Sequence, residues 1–188
     1  MVIKMNLFID THLNDLVIIL ENNNKIIKEK IIKAEKNNST LIMPTIKEVL
    51  DNIIPSSIIV VNGPGSFTGV RLGVTIAKTL AYTLNIPIRT ISSLECMAVS
   101  TNLNSKKRVG FSDNNGYYIG NFDSNNSLID KYIYLSNREY NDYYYKNEVI
   151  DNIELDYLKI IEFAILKSPI NAHEVNPVYI KKIDVEKW

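Results

Sequence analysis

A β-branched run, a turn with three glycines and a long amphipathic segment follow one another in the first half of this 188-residue chain. Gly63, Gly65 and Gly69 allow backbone angles and close approaches that a side chain would forbid. Ser66 and Thr68 are placed to cap the predicted helix that follows, whose first N–H groups would otherwise have no partner. A strand, a glycine-rich turn and a helix N-terminus together favour the binding of an anion. We call residues 63–69 the glycine loop.

The glycine loop matches none of the three common catalytic loops. A P-loop needs lysine and then serine or threonine after its last glycine, but Gly69 is followed by Val70 and Arg71. A dinucleotide fingerprint needs a third glycine where the chain has Thr68. A nucleophile elbow needs glycines two residues on either side of the serine, where the chain has Pro64 and Thr68. The loop is therefore either a weak phosphate cradle or a structural turn that packs a helix onto a sheet, and the spacing favours the turn.

Asp10 and Thr11 end the first predicted strand. ATPases of the actin and sugar-kinase class place their first phosphate-binding turn at this point of the fold. That turn normally has a glycine just after the aspartate, so that the backbone can wrap a phosphate. Here His12 and Leu13 follow instead. Asp10 and Thr11 are therefore either a vestigial phosphate turn or ordinary turn residues at a strand end.

The chain has few residues of the types that hold metals or form disulfides. Its two histidines, His12 and His173, have no second ligand at helical spacing, so we predict no metal site. Cys96 is the single cysteine, which excludes an internal disulfide and is typical of a reducing compartment. We predict that it is a small buried hydrophobic residue.

Charge and hydropathy exclude several broad classes. The 21 basic side chains balance the 21 acidic ones, so no general electrostatic attraction to nucleic acid is expected. No apolar run reaches the ~18–20 residues of a membrane span, and the N-terminus lacks the pattern of a secretory signal. We therefore expect a cytoplasmic protein that does not bind membranes.

Strand and helix signals alternate in a first set of elements. Three β-like runs with polar turns between them predict an antiparallel meander. A capping box at Ser92 and Glu95 predicts the start of a helix. The predicted strands are 5–9, 16–20, 25–32, 58–61 and 87–91. The first predicted helix is capped by residues 38–40 and ends before Pro55, and two further helices are predicted over 70–84 and 94–101.

A polar stretch at 102–107 separates a second set of elements from the first. This set has predicted strands at 108–111, 117–122 and 128–134 and a predicted helix at 153–166, whereas residues 139–146 fit neither pattern clearly. Two successive mixed sets predict an α/β fold with an N-terminal lobe over residues 1–103 and a shortened C-terminal lobe over 104–188.

Several segments together resemble the bacterial TsaB (YeaZ) family. Members of that family carry a Gly-Pro-Gly-Ser-Phe-Thr-Gly-Val-Arg loop, which residues 63–71 match. They tend to have Ile-Asp-Thr near the N-terminus, as at 9–11, and Pro-Val-Tyr-Leu-Arg near the C-terminus, to which residues 177–181 are similar. The chain departs from the family at Asn38, where many members have histidine, and at residues 112–116, where members often have Asp-Ala-Arg before a glycine.

The resemblance implies a two-lobed, actin-like (ASKHA, ribonuclease H-like) fold with mixed sheets, whose second lobe is reduced here. It also implies a non-catalytic subunit that pairs with the metal- and nucleotide-binding subunit TsaD and with the ATPase TsaE. That assembly transfers a threonylcarbamoyl group to adenosine 37 of tRNA, so the chain would meet tRNA indirectly, through the complex. The resemblance implies no cofactor of its own, with any nucleotide at the interface with the partners, and it allows a homodimer in their absence.

The first two predicted helices are the expected docking surface for the TsaD-like subunit, as a bundle with the partner's counterparts. Their spacing gives apolar faces, and a column of small residues would let another helix approach closely. Some of these residues must also face their own sheet. The interface candidates are Ile42, Ile46, Val49, Ile53, Gly73, Ala77 and Ala81.

An active ATPase or kinase of the actin-like superfamily is the main alternative. The glycine loop supports it, whereas the missing glycine after Asp10 and the lack of a second paired phosphate loop argue against it. A peptidase would need a nucleophile or metal site that the sequence does not indicate. A free-standing RNA-binding module would need a basic face, which a neutral chain does not favour.

Overall fold

The computed structural model describes residues 4–33 and 38–181, which form two mixed sheets and five α-helices. Sheet 1 has the strand order β3-β2-β1-β4-β5, and sheet 2 has the order β8-β7-β6-β9. The strands are β1 (Asn6–Asp10), β2 (Leu16–Asn22), β3 (Lys25–Ile32), β4 (Ser57–Val61), β5 (Ile88–Ile91), β6 (Lys107–Ser112), β7 (Gly116–Phe122), β8 (Ile133–Ser136) and β9 (Val149–Ile150). The helices are α1 (Asn38–Leu50), α2 (Phe67–Leu84), α3 (Ser93–Ser100), α4 (Asn137–Asn141) and α5 (Tyr157–Ile165).

The central strands of sheet 1 are buried on both faces, whereas its edge strand β3 is largely exposed. Strands β1, β2 and β3 pair antiparallel, which confirms the predicted meander, and β4 and β5 continue the sheet in parallel with β1. Apolar side chains of one face pack with α1 and α2, and those of the other face pack with α3 and α5. Strands buried on both faces read as continuous apolar runs, as in β4.

Sheet 2 packs one face against α3. Its cluster joins Val109, Tyr118 and Phe122 of the sheet to Leu94 and Met97 of the helix. The capping box predicted at the start of α3 is present, with Ser92 and Glu95 exchanging hydrogen bonds with each other's backbone N–H groups. Helix α3 therefore lies between the two sheets and contributes to both cores.

The predicted bounds of α1 are wrong at both ends. Residues 38–40 form the first turn of the helix instead of capping it, and the residue before Asn38 lies outside the described residues. The helix ends at Leu50, well before Pro55, because Asp51 and Asn52 adopt left-handed backbone angles with φ of 47° and 68°. Ile53 consequently lies beyond the helix.

Two elements of the second set differ from the prediction. Only the end of the predicted strand 128–134 is a strand, since Leu128 forms an isolated bridge with Phe122 while β8 pairs with the start of β7. Helix α5 begins at Tyr157, four residues later than predicted, after Asp156 caps it. The lobe boundary at residues 103 and 104 stays a prediction, and α5 packs against sheet 1 although it lies in the later part of the chain.

Candidate functional site

The glycine loop is in direct contact with the turn between β1 and β2. The backbone N–H of Ser66 donates to the carbonyl oxygen of His12 at 2.7 Å. The hydroxyl of Thr11 donates to the carbonyl oxygen of Gly69 at 2.7 Å. A Cβ on Gly65 would overlap the carbonyl oxygen of His12, and one on Gly69 would overlap that of Thr11. These two glycines therefore allow two backbone segments to touch.

The carboxylate of Asp10 is occupied by its own neighbour in the turn. Asp10 Oδ1 accepts from the backbone N–H of His12 at 2.9 Å and lies 2.6 Å from Nδ1 of the same histidine. Both residues are buried, and the side chain of each is 5% exposed. The His12 ring meets Phe111 of sheet 2 edge-on, with centroids 6.2 Å apart. His12 thus links the strand end of sheet 1 to sheet 2.

The start of α2 is fixed by the loop itself. Ser66 is the N-cap, as predicted, and its hydroxyl accepts from the backbone N–H of Gly69. Thr68, the other predicted cap, lies inside the helix, which begins at Phe67. On the far side of the loop, Ser93 donates through its N–H to Gly63 and through its hydroxyl to Pro64. These contacts agree with a structural loop, although its role stays a prediction.

A cleft of about 750 Å³ opens beside the glycine loop. The loop and the C-terminal segment, whose Val178 N–H donates to the Asn62 carbonyl at 2.8 Å, form one wall. The turn between β6 and β7 forms a second wall, which Lys181 of the first wall contacts through Asp113 at 3.5 Å. Aromatic rings stand on both walls, with Phe67 and Tyr179 on the first and Phe111 and Tyr118 on the second.

Asp113 is the charged group of the second wall. Partial burial opposes its ionisation, but N–H donors of Asn115 and Gly116, the Tyr134 hydroxyl and the Lys181 ammonium outweigh it, so the pKa of Asp113 is lowered. Burial and the nearby Asp113 charge raise the pKa of Tyr118 to about 12. Among the described residues that line the cleft, Asp113 and Lys181 are the charged ones, and they pair with each other.

The predicted partner-interface residues lie in the core. Of the seven candidates, Ile42, Ile46, Val49, Ala77 and Ala81 are at most 2% exposed, and Gly73 is also buried. Ile53 is half-buried and packs against the same cluster. Side chains that already face sheet 1 cannot form a docking surface in this structure, so the choice of these residues is corrected.

The surface between α1 and α2 has other apolar residues, which the sequence did not single out. Leu72, Ile76 and Leu80 recur four residues apart on α2 and are only partly buried. The opposite flank of α2 is covered, because Lys78 donates to the carbonyl oxygens of His173 and Val175. By helical spacing, the three apolar residues therefore lie on the flank of α2 away from that segment.

Helix α1 has a corresponding flank. Glu48 pairs with Lys30 of β3 at 2.6 Å, so that side of α1 faces the edge of sheet 1. Met43, which is 46% exposed, lies on the other side by helical spacing. Met43 thus lies on the flank of α1 away from Glu48, as Leu72, Ile76 and Leu80 lie on the flank of α2 away from Lys78, and we call these four residues the helix groove. The sequence could have indicated these four residues only if the side of each helix that faces sheet 1 had been identified first.

No sign of metal chemistry appears among residues 4–33 and 38–181, where no group of three or more metal-ligating side chains occurs. Cys96 is buried, as predicted, and its burial raises the pKa of the thiol. Within the same described ranges, no helix has both the length and the apolar character of a membrane span.

Comparison with known families supports the resemblance found in the sequence. Residues 25–111 match the family model of TsaD, tRNA N6-adenosine threonylcarbamoyltransferase. The tRNA threonylcarbamoyladenosine biosynthesis protein TsaB of Bacillus subtilis is 46% identical over 99 residues, which are 50% of this chain and 43% of that protein. TsaB of Buchnera aphidicola from Acyrthosiphon pisum is 37% identical over 78 residues, 37% of this chain and 34% of that protein.

The predicted resemblance to the TsaB family is therefore confirmed. The matched part of the chain spans less than half the length of these two relatives, at 43% and 34%.

Two solved structures share the fold over nearly the whole chain. One is YeaZ from Pseudomonas aeruginosa, with a TM-score of 0.73, 18% identity, and coverage of 94% of this chain and 99% of that one. The other is a protein of that organism with similarity to peptidase YeaZ, with a TM-score of 0.76, 15% identity, and coverage of 95% and 100%. These likenesses confirm the predicted fold class, an α/β fold with two mixed sheets that this chain shares with YeaZ.

Proposed function

We propose that this chain is a non-catalytic subunit in the synthesis of threonylcarbamoyladenosine on tRNA. The observation that carries the proposal is the 46% identity to a TsaB protein over 99 residues. In this role it would dock and support a TsaD-like catalytic subunit, with a TsaE-like ATPase as a further partner, and would meet tRNA only through the complex.

The helix groove is the proposed docking surface for the TsaD-like subunit. The TsaD family model matches residues 25–111, a range that includes α1 and α2. A TsaD-like partner would therefore carry the same pair of helices, and the two pairs could pack in a pseudo-twofold arrangement. The partly exposed side chains Met43, Leu72, Ile76 and Leu80 would provide the apolar contact. In the absence of the partner, the same surface could join two copies of this chain.

The geometry at the strand end supports a non-catalytic role. Asp10 stands where an active ATPase or kinase would have the aspartate of its phosphate turn, but its carboxylate is bound by His12. The carbonyl oxygens of Thr11 and His12 also press against the glycines of the loop. A phosphate would meet those oxygens instead of a ring of N–H donors. The active ATPase or kinase is thus the less supported alternative.

Reconstituted tRNA modification tests this proposal. The TsaD-like and TsaE-like proteins of the same genome would be assayed with tRNA and an activated threonylcarbamoyl donor, with and without this chain. We expect modification only when the chain is present, and we expect Asp10→Asn to retain it. A folded Asp10→Asn variant that still joins the complex but abolishes modification would contradict the non-catalytic role.

A further inference from the structure

We propose that the cleft beside the glycine loop binds a planar heteroaromatic compound without phosphate groups. The exposed rings of Phe67 and Tyr179 beside the cleft carry this inference, together with the closed contact between the glycine loop and the β1–β2 turn. It does not rest on the proposed function, because a ligand in this cleft would be bound whether or not the helix groove holds a partner.

The size and lining of the cleft suit a small ligand. Its volume of about 750 Å³ lies within the range of ordinary small-molecule sites, roughly 300–1,000 Å³. Such sites are lined mostly by apolar and aromatic side chains with a few polar groups that set orientation. Here Val70, Val178 and Ile180 supply apolar surface, and Asp113 and Ser112 supply polar atoms.

Two rings at the mouth of the cleft expose much of their surface. Phe67 is 52% exposed and Tyr179 is 55% exposed, although their centroids lie only 5.9 Å apart. Arg71 lies over the Phe67 ring at 4.9 Å from its centroid. A planar ligand ring that stacks on Tyr179 would remove apolar area from water and gain the attraction of offset π-systems.

Phe111 and Tyr118 also line the cleft, but Tyr118 is only 5% exposed and belongs to the core between sheet 2 and α3. Phe111 and Tyr118 lie 5.2 Å apart, and Phe111 also contacts the His12 ring. Tyr118 keeps its hydroxyl proton because its pKa is about 12, and that hydroxyl lies 3.4 Å from Asp113. A ligand ring that stacks on Tyr179 would find the Asp113 carboxylate among the polar groups of the cleft.

The end of the cleft next to α2 does not suit a phosphate chain. The Ser66 N–H is already bonded to the His12 carbonyl, and the Ser66 hydroxyl accepts from Gly69. Carbonyl oxygens of Thr11 and His12 fill the space over the loop glycines. Asp113 adds a negative charge on the other wall, and Lys181 pairs with it at 3.5 Å. We therefore expect that phosphate groups add no affinity.

Ligand-observed NMR with three probes tests the proposal on the full chain. Adenosine supplies a planar heteroaromatic ring, ribose supplies the same sugar without the ring, and ATP with Mg²⁺ adds phosphates. We expect saturable binding of adenosine, no saturable binding of ribose, and no tighter binding of ATP than of adenosine.

Substitutions inside and outside the cleft test whether adenosine binds there. We expect Tyr179→Ala to weaken adenosine binding at least about fivefold, the lower end for the loss of one stacking ring. Phe67→Ala gives a second variant at the same mouth. Tyr144→Ala removes a ring that is 87% exposed and lies outside the cleft lining, so it should leave the affinity unchanged. Absence of saturable adenosine binding, equal affinity in Tyr179→Ala, or ATP binding more than tenfold tighter than adenosine would each overturn the proposal.

Discussion

At the scale of single residues, the sequence left two alternative roles open for the glycine loop. Its glycines could have served a phosphate or a close backbone contact, and both need the absence of a Cβ. The structure brings the carbonyl oxygens of Thr11 and His12 against Gly69 and Gly65. That contact depends on residues more than fifty positions apart, so no local pattern could predict it. The sequence did show one difference from an active phosphate turn, because no glycine follows Asp10 and Thr11 and the next residue is His12.

Gly65→Ala tests this close contact. The new Cβ would overlap the His12 carbonyl oxygen, so the turn or the loop must move. We expect the free energy of unfolding to fall by about 1–3 kcal/mol, as for overpacked sites. Urea denaturation of the variant and of Thr83→Ala, a change at an exposed position of α2, gives the comparison. A Gly65→Ala variant as stable as Thr83→Ala would show that the contact is not tight.

Asp113 makes a pH-dependent contribution to stability. Its pKa is lowered in the folded chain, so the folded state favours the carboxylate and gains stability above the unfolded pKa. We expect wild type to be more stable than Asp113→Asn at neutral pH. The difference should shrink as the pH falls below about 4, the ordinary range for aspartate, because both states then become protonated.

Thermal unfolding of both proteins between neutral and acidic pH measures this difference. Asp130→Asn, at an exposed carboxylate, is the matched control and should differ little from wild type across the range. A stability gap between wild type and Asp113→Asn that widens as the pH falls would contradict the assignment.

At the scale of elements, burial separates the two sides of each helix. The sequence predicted α2 and its N-cap because apolar spacing and a serine before the helix are local signals. It did not show which apolar side chains face sheet 1, since a four-residue column of Gly73, Ala77 and Ala81 fits a core face as well as a docking face. The structure assigns that column to the core and leaves Leu72, Ile76 and Leu80 beside it.

Local sequence patterns also failed to predict the end of α1 and the path of residues 128–134. Asp51 and Asn52 stop the helix through left-handed backbone angles, although proline was the expected stop signal. The two-residue strand β9 forms only because β6 is beside it. Short elements of this kind take their conformation from the sheet that they join.

Ser66→Ala tests the cap of α2. The serine hydroxyl accepts the Gly69 N–H at 3.3 Å, and its loss leaves that donor to water. We expect a loss of about 1 kcal/mol in the free energy of unfolding, the usual cost of replacing such a cap by alanine. Ser66→Asp, which keeps an acceptor, should recover most of it in the same urea titration. Equal stability of all three proteins would contradict the capping role.

At the scale of the whole molecule, both sheets share α3, and the proposed partner surface lies on one side of sheet 1. Helices α1 and α2 cover that side, while α3 and α5 cover the other. A subunit that docks in the helix groove would leave the cleft beside the glycine loop open to a ligand, because the groove residues are not among those that line the cleft. The two proposals can therefore fail independently.

Charge substitutions in the helix groove test its part in assembly. Met43→Asp and Ile76→Asp would each place a carboxylate in an apolar contact, and we expect affinity for the TsaD-like subunit to fall at least tenfold, as for central interface residues. Leu166→Asp is the matched control, because it introduces a carboxylate at a residue that follows α5 and is 85% exposed. It should bind as wild type does. Circular dichroism would establish that all variants are folded.

The most direct test of the central claim is size-exclusion chromatography with light scattering on this chain mixed with the TsaD-like protein of the same genome. Our account predicts one heteromeric complex with wild type and with Leu166→Asp, and its loss with Met43→Asp and Ile76→Asp. Two separate folded proteins in the wild-type mixture, or a complex that survives both groove substitutions unchanged, would contradict it.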